Sequence, residues 1–414
     1  MRVLAIAHRL WRGGAQESTL EMLGLLKRRD MDIRVLTCDS SENAFLSDLE
    51  NLGIVTFTAP AKIVANYPDL AIERHAELIK SSDLVWITDV EYLVAPKIKK
   101  IKADMPVIAS LHSFALMCPI WDALFGMQET CTENCSHSLQ RFAQCKLLAK
   151  QYLAHWHQRS TRMKAYQLLN LPKSYLDFVT WPMNEVVVES IDGFLAVSQF
   201  TKDLVRTHLP GLNAPIEVIP NPVTMPEPNI AAEDYHNGDH KLILYPSGSG
   251  ISKGPHIALY AIRKLLDEGS KDLTLTMLKT QGDLWIRNLV KRLRLENQVR
   301  LLPTLPRTQV STLMANSSVV LVPSLAPETF GRIPVEANLL GTPAVVSNRG
   351  ALPNQIVDRA TGIVTEPTVD AFAKSVDEAL RVDWDRELIA RTAKERFNPE
   401  RICDDLVRFL ETFI

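Results

Sequence analysis

The chain has 414 residues, enough for two domains with separate cores. Its 46 basic and 48 acidic residues leave a formal net charge of −2, which excludes a global polycation built for nucleic acid, and six cysteines are too few for a disulfide scaffold. No apolar run approaches the roughly 18 residues of a membrane span, and MRVLAIAHRL is too short and wrongly flanked for a secretory signal, so a reducing cytoplasm is the expected setting.

The first half alternates between two periodicities. VLAIAH (3–8) reads as a strand, AQESTLEMLGLLKRR (15–29) as a helix and DIRVLTC (32–38) as the next strand. VTFTAP (55–60) is a third strand; a helix is expected near 69–80, and LVWITD (84–89) and VIASLH (107–112) follow as strands. IEVIPNPV (216–223) runs into MPEPNIAAEDYHNGDH, whose prolines and polar residues mark a linker.

The second half restarts the same rhythm. KLILY begins a strand at 241, HIALYAIRKLLDEG is a helix, and LTLTML (273–278) and QVRLLP are strands. SSVVLVPS (317–324) is a short β-branched run ended by proline, hence a buried strand. Pro334 suits the first turn of a helix, where its missing N–H costs nothing; VEANLL continues that helix until Gly341-Thr342-Pro343 stops it, and AVVS is the next strand. The expected architecture is α/β: two doubly wound, Rossmann-like sheets facing a central cleft, over 1–224 and 240–397. A basic helical insertion at about 134–190 and a terminal helix at about 398–414 complete the first domain in this reading.

Two stretches carry chemistry. SGSGISKG lies between a strand and a helix: Gly248, Gly250 and Gly254 permit a tight turn with close backbone approach, and Lys253 adds a cation beside a helix N-terminus, as a phosphate cradle requires. PETFGRIPVE places Glu328 in a loop at a strand tip and Glu336 in the first turns of the following helix, where ligands collect in open α/β sheets. Each has a plainer reading, as a mobile loop with a solvated lysine and as acids that merely complement a helix dipole. Gly248-x-Gly250 also fits a dinucleotide turn of an NAD(P)-dependent dehydrogenase, but the next strand ends in Lys279-Thr280-Gln281, without the carboxylate that would hold the ribose.

Taken together, the lysine-bearing glycine loop, the Glu-x7-Glu segment around Phe330-Gly331 and GTPAVVSNRGALPNQIV resemble family 4 of the retaining, nucleotide-sugar-dependent glycosyltransferases, which have the two-domain GT-B architecture. VSQFTKDLV (197–205), IPNPV (219–223), SLHSFALMCP (110–119) and Gly13-Gly14-Ala15 extend the resemblance over most of the chain. The resemblance implies transfer of a sugar from a UDP- or GDP-sugar to a glycan or lipid-linked acceptor. It implies that Glu328 holds sugar hydroxyls, that the Phe330-Gly331 backbone approaches the sugar and diphosphate, and that Glu336 binds the ribose. Lys253 would neutralise the leaving diphosphate, His112 would sit near the reacting carbon, and Gly13 and Gly14 would let the first loop reach the cleft. Relatives carry an arginine five or six positions before the lysine, where this chain has Ser247 and Gly248; backbone N–H groups or Arg332 are the replacements open to it. The missing arginine also keeps open a non-catalytic sugar-nucleotide-binding subunit. No metal or other cofactor is required for this chemistry, because fixed cations and helix N–H groups meet the charge that develops on the leaving oxygens.

Cys118, Cys131, Cys135 and Cys145 are crowded together, and four thiolates would suit a structural zinc ion or an iron–sulfur cluster; buried thiols are the alternative. From Asn134 to Leu176 there is no acidic residue, while basic and aromatic side chains interleave. Two readings stand for that stretch: a peripheral contact with anionic lipid, at the inner face of a membrane, or a solvated helical face.

Overall fold

The computed structural model describes residues 1–7, 13–37, 44–64, 67–118, 124–125, 129–131, 175–176, 179–181, 183, 185–228 and 241–414. Most of the basic stretch, with Cys135 and Cys145, lies outside the described residues.

In the first half, strands β1 (Arg2–Ala7), β2 (Asp32–Thr37), β3 (Val55–Thr58), β4 (Leu84–Ile87), β5 (Val107–Leu111), β6 (Gly193–Ala196) and β7 (Ile216–Val218) form one sheet in the order β7-β6-β5-β4-β1-β2-β3. Every pairing in it is parallel, with Val3 opposite Ile33 on one side of β1 and Leu84 on the other. Helix α1 (Gly14–Arg28) leaves β1 and buries Met22, Leu23, Leu25 and Leu26. Helix α2 (Gln199–His208) leaves β6, capped by Ser198 Oγ on the Thr201 N–H.

The second half repeats the plan. Strands β8 (Lys241–Tyr245), β9 (Leu273–Met277), β10 (Val299–Leu301), β11 (Val319–Val322), β12 (Ala344–Ser347) and β13 (Gly362–Thr365) are ordered β10-β9-β8-β11-β12-β13, again all parallel. VVLV and AVVS are buried at every position, as strands covered by helices on both faces must be. Helices α3 (Pro255–Asp267) and α4 (Arg332–Leu339) follow β8 and β11.

The last helix, α5 (Pro399–Glu411), returns to the first domain. Its Ile402, Cys403, Leu406 and Leu410 share a core cluster with α1 and β1, and Arg29 bonds to Glu400 and Asp404. Among the described residues no helix is long and apolar enough to cross a membrane.

The helix expected near 69–80 is a correction. Tyr67–Leu70 pairs antiparallel with Ala61–Val64, and helix proper runs only from Ala76 to Lys80. Tyr67 is anchored in the core, its hydroxyl donating to Ala115 O at 2.9 Å, which holds the segment extended beside Ala61–Val64. Tertiary burial of that ring outweighs local propensity.

Candidate active site

The glycine loop after β8 is closed by one hydroxyl. Tyr245 Oη donates to Gly248 O at 2.8 Å and lies 3.2 Å from Lys253 O, so both ends of the loop converge on a buried side chain. Gly254 then takes the left-handed conformation (φ 69°) at the head of α3, and a Cβ there would stand 1.9 Å from Pro323 O. Only glycine lets the loop pass so close to the tip of β11. Ser247 Oγ is enclosed in this loop and makes no hydrogen bond among the described residues.

Across from the loop, Lys253 Nζ lies 2.6 Å from Glu328 Oε1, which also accepts from Ser324 Oγ at 2.8 Å. The structure thus brings Lys253 and Glu328 together from opposite sides of a strand tip. Burial pushes the Glu328 carboxyl up, but the Lys253 ammonium and the two hydrogen bonds outweigh it and hold the group below the usual range, so it is a carboxylate at neutral pH.

The segment after Glu328 is built into the boundary between the domains. Thr329 Oγ1 donates to His112 O at 2.9 Å, and Thr329 O accepts from Ser198 and Thr201 hydroxyls at the head of α2. The Phe330 ring packs with Val197, Val223, Val335 and Phe397, meeting Phe397 edge-on at 5.9 Å, and its carbonyl accepts from Gln355 Nε2. Gly331 (φ 81°) starts α4 where a Cβ would meet Leu352 at 2.6 Å. Of this turn, then, the Phe330 ring and carbonyl face protein rather than the cleft.

Arg332 is placed differently from a phosphate-facing cation. Its Nη1 donates to Ser18 Oγ (2.7 Å), Glu21 Oε2 (3.0 Å) and Pro222 O (3.0 Å), Nη2 to Glu21 Oε1 (3.1 Å), and Nε to Glu336 Oε1 (3.3 Å). All three nitrogens are engaged inside the protein, so the replacement role that the sequence left open to Arg332 is not the one this side chain fills. Gly14 lies against its methylenes, a Cβ there falling 3.6 Å from Arg332 Cδ, while Gly13 is extended and caps α1. Arg307 adds a second tie, 2.6 Å from Glu17.

His112 follows β5 directly, with both ring nitrogens occupied: Nδ1 is 2.9 Å from Thr88 O and Nε2 3.0 Å from Asn221 Oδ1. Burial lowers its pKa to about 4. A neutral ring has one N–H and Thr88 O only accepts, so Nδ1 carries the proton; Nε2 then pairs with Asn221 once that amide is turned to present NH2 in place of Oδ1. Next to it, Asp89 at the tip of β4 accepts from Gln16 Nε2 at 3.1 Å, and burial raises its pKa to about 7. Sequence reasoning missed Asp89, Gln16, Glu21, Ser324 and Thr329. Asn221 was visible within IPNPV without a role, and an amide between two prolines was the available signal.

Cys118 and Cys131 are both half-buried, Cys118 beside the first core. Among the described residues no group of three His, Cys, Asp or Glu is arranged to hold a metal.

Residues 12–225 match the family model of Glycosyltransferase Family 4, and residues 227–396 that of glycosyl transferases group 1. An uncharacterized glycosyltransferase of Methanocaldococcus jannaschii is 30% identical over 177 residues, 41% of this chain and 44% of that protein. A glycogen synthase of Mycobacterium tuberculosis is 30% identical over 193 residues, 46% of each chain, so the aligned part spans less than half of either relative. Among solved structures, Anabaena HepE in complex with UDP-glucose superposes with a TM-score of 0.70 at 17% identity, covering 100% of both chains. Sucrose-phosphate synthase of Thermosynechococcus elongatus does so with a TM-score of 0.68 at 14% identity, covering 100% of this chain and 99% of that one.

Proposed function

The chain belongs to Glycosyltransferase Family 4, with the GT-B architecture of two facing Rossmann-like domains, and from that premise we propose that it is a retaining glycosyltransferase. It moves a sugar from a nucleoside diphosphate sugar to a glycan or lipid-linked acceptor, the second domain holding the donor and the first receiving the acceptor. The observation that carries this reading is the Lys253–Glu328 pair at 2.6 Å, set between a glycine loop and a strand tip. The UDP-glucose bound by the HepE neighbour is consistent with a donor of that class.

Breaking the bond between sugar and diphosphate builds negative charge on the leaving oxygens and positive charge at the anomeric carbon. Lys253 and the N–H groups at the head of α3 face the first; Glu328, kept ionised, holds sugar hydroxyls beside the second. Arg332 holds Oε1 of Glu336, leaving the other oxygen for ribose hydroxyls. His112 is a positioning group, neutral and fixed by Thr88 and Asn221. Enclosure between the domains orients the acceptor hydroxyl and keeps water from hydrolysing the donor. The hydride-transfer alternative lacks its ribose carboxylate, since Leu278-Lys279-Thr280-Gln281 follow β9.

Release of UDP or GDP from a panel of sugar nucleotides, with and without glycan and lipid-linked acceptors, tests the reading. Acceptor-dependent release that is insensitive to EDTA, with an α-linked product from an α-linked donor by NMR, is expected. A chain that binds no UDP- or GDP-sugar overturns it.

A further inference from the structure

We propose that Lys279 is the second cation of the diphosphate site, reaching it from the neighbouring strand rather than from the glycine loop. The inference rests on the donor-site reading above and names a residue which that reading does not use.

The charge balance calls for such a group. A nucleoside diphosphate brings two or more negative charges, yet Lys253 is already paired with Glu328 and Arg332 is held by Glu21 and Glu336. A site with Glu328 and Glu336 beside it would meet an anion with little net positive charge.

Lys279 stands where the loop is open. It lies two residues past the end of β9, and β9 is paired in parallel with β8, Met277 opposite Tyr245, so its position is level with the start of the glycine loop. A Cβ on Gly248 would lie 3.5 Å from Lys279 Cβ and 4.0 Å from Lys279 Cδ: the lysine stem passes across the face of the loop that Gly248 leaves bare. Tyr245 links Gly248 O to Lys253 O through one hydroxyl, so the two lysines flank the same turn. A side chain at 248 would compete for that space.

Two further features separate Lys279 from an ordinary surface lysine. Its backbone is left-handed (φ 59°), a conformation that glycine takes freely and lysine seldom does. Its neighbours hold that turn in place, with the Lys279 N–H donating to Pro303 O and the Thr280 N–H to Leu302 O. The side chain is exposed, and among the described residues its ammonium makes no hydrogen bond or ion pair, so it is available to a ligand.

Calorimetric titration with UDP and GDP, and with the corresponding monophosphates, tests this. K279M and K279Q keep the stem and remove the charge. Both should weaken the preferred diphosphate about tenfold or more and the monophosphate much less, flatten the salt dependence of binding, and leave the circular dichroism spectrum unchanged; K279R should stay within about threefold of wild type. Wild-type binding that survives in K279M and K279Q but falls in K253M overturns the role of Lys279 and leaves the donor site standing. Absence of any diphosphate binding by the wild-type chain removes the donor-site reading, and this inference with it.

Discussion

Arg332 and Glu21 meet across the domain boundary as a two-point pair, Nη1 to Oε2 at 3.0 Å and Nη2 to Oε1 at 3.1 Å. One belongs to the helix after β11 and the other to the helix after β1, so the contact couples the two domains beside Glu336. The side chains are only 7% and 13% exposed, which places the pair where solvent screening is weak. Removing one partner leaves a buried charge with only part of its complement, Glu336 for Arg332 or Arg307 for Glu21, with a loss of up to about 3–5 kcal/mol. E21Q should therefore lower stability in denaturant titrations by that order, R332M should do the same, and the double variant should recover part of the loss. A cost for E21Q within about 0.5 kcal/mol would show the pair to be a surface contact.

Glu328 and Lys253 predict a different signature. E328Q preserves the shape and the Ser324 contact while removing the charge that holds Lys253 Nζ at 2.6 Å. With a donor identified from the panel, kcat should fall about 10²–10³-fold, as when one preorganised polar group is lost, and donor affinity should change far less. K253M should depress both quantities, since it removes attraction to the diphosphate in ground and transition states alike. Equal small effects from both variants would remove this pair from the chemistry.

The pinch at Gly254 is tested by one methyl group. Its Cβ would overlap Pro323 O, only 1.9 Å away, and φ 69° penalises any L side chain. Strain and overpacking together should cost G254A about 2–5 kcal/mol, read as an earlier transition of the second domain in thermal unfolding. G250A, where an added Cβ meets nothing closer than 4.0 Å, is the control and should be nearly neutral.

These relationships differ in how far the sequence could show them. LILY, VVLV and AVVS are legible as strands because a parallel sheet buries both faces and leaves an unbroken apolar run. Lys253, Glu328 and Glu336 are legible because glycine and proline punctuate the strand tips on either side of them. The hairpin of Ala61–Val64 with Tyr67–Leu70 is not, since its pairing depends on where Tyr67 finds a core. Glu21 is harder still: on its own helix it reads as one more acid of a solvated face, and its partner lies 311 positions away. His112 and Asn221, 109 positions apart, share that opacity. Lys279 was visible only as the wrong residue for a dinucleotide site; its place beside Gly248 is set by strand order, which periodicity does not encode.

Asp89 and His112, neighbours at the tips of β4 and β5, carry opposed pH dependences. Burial raises the Asp89 pKa from 3.8 to about 7, so between those limits the folded chain holds a proton that the unfolded chain releases, and stability from this group falls as pH rises. Burial lowers the His112 pKa from 6.5 to about 4, so over that window the unfolded chain binds the extra proton and stability rises with pH. From pH 4 to 6.5 the two slopes, each up to about 1.4 kcal/mol per unit, should largely cancel in the wild type. D89N removes one of them. The stability of wild type minus that of D89N, from urea titrations at pH 4.5, 5.5 and 6.5, should therefore shrink as pH rises, while the corresponding difference for H112Q should grow. A difference for D89N that is flat across those pH values would mean that Asp89 is ionised throughout, as a solvated carboxylate would be, and that its bond to Gln16 does not enclose it.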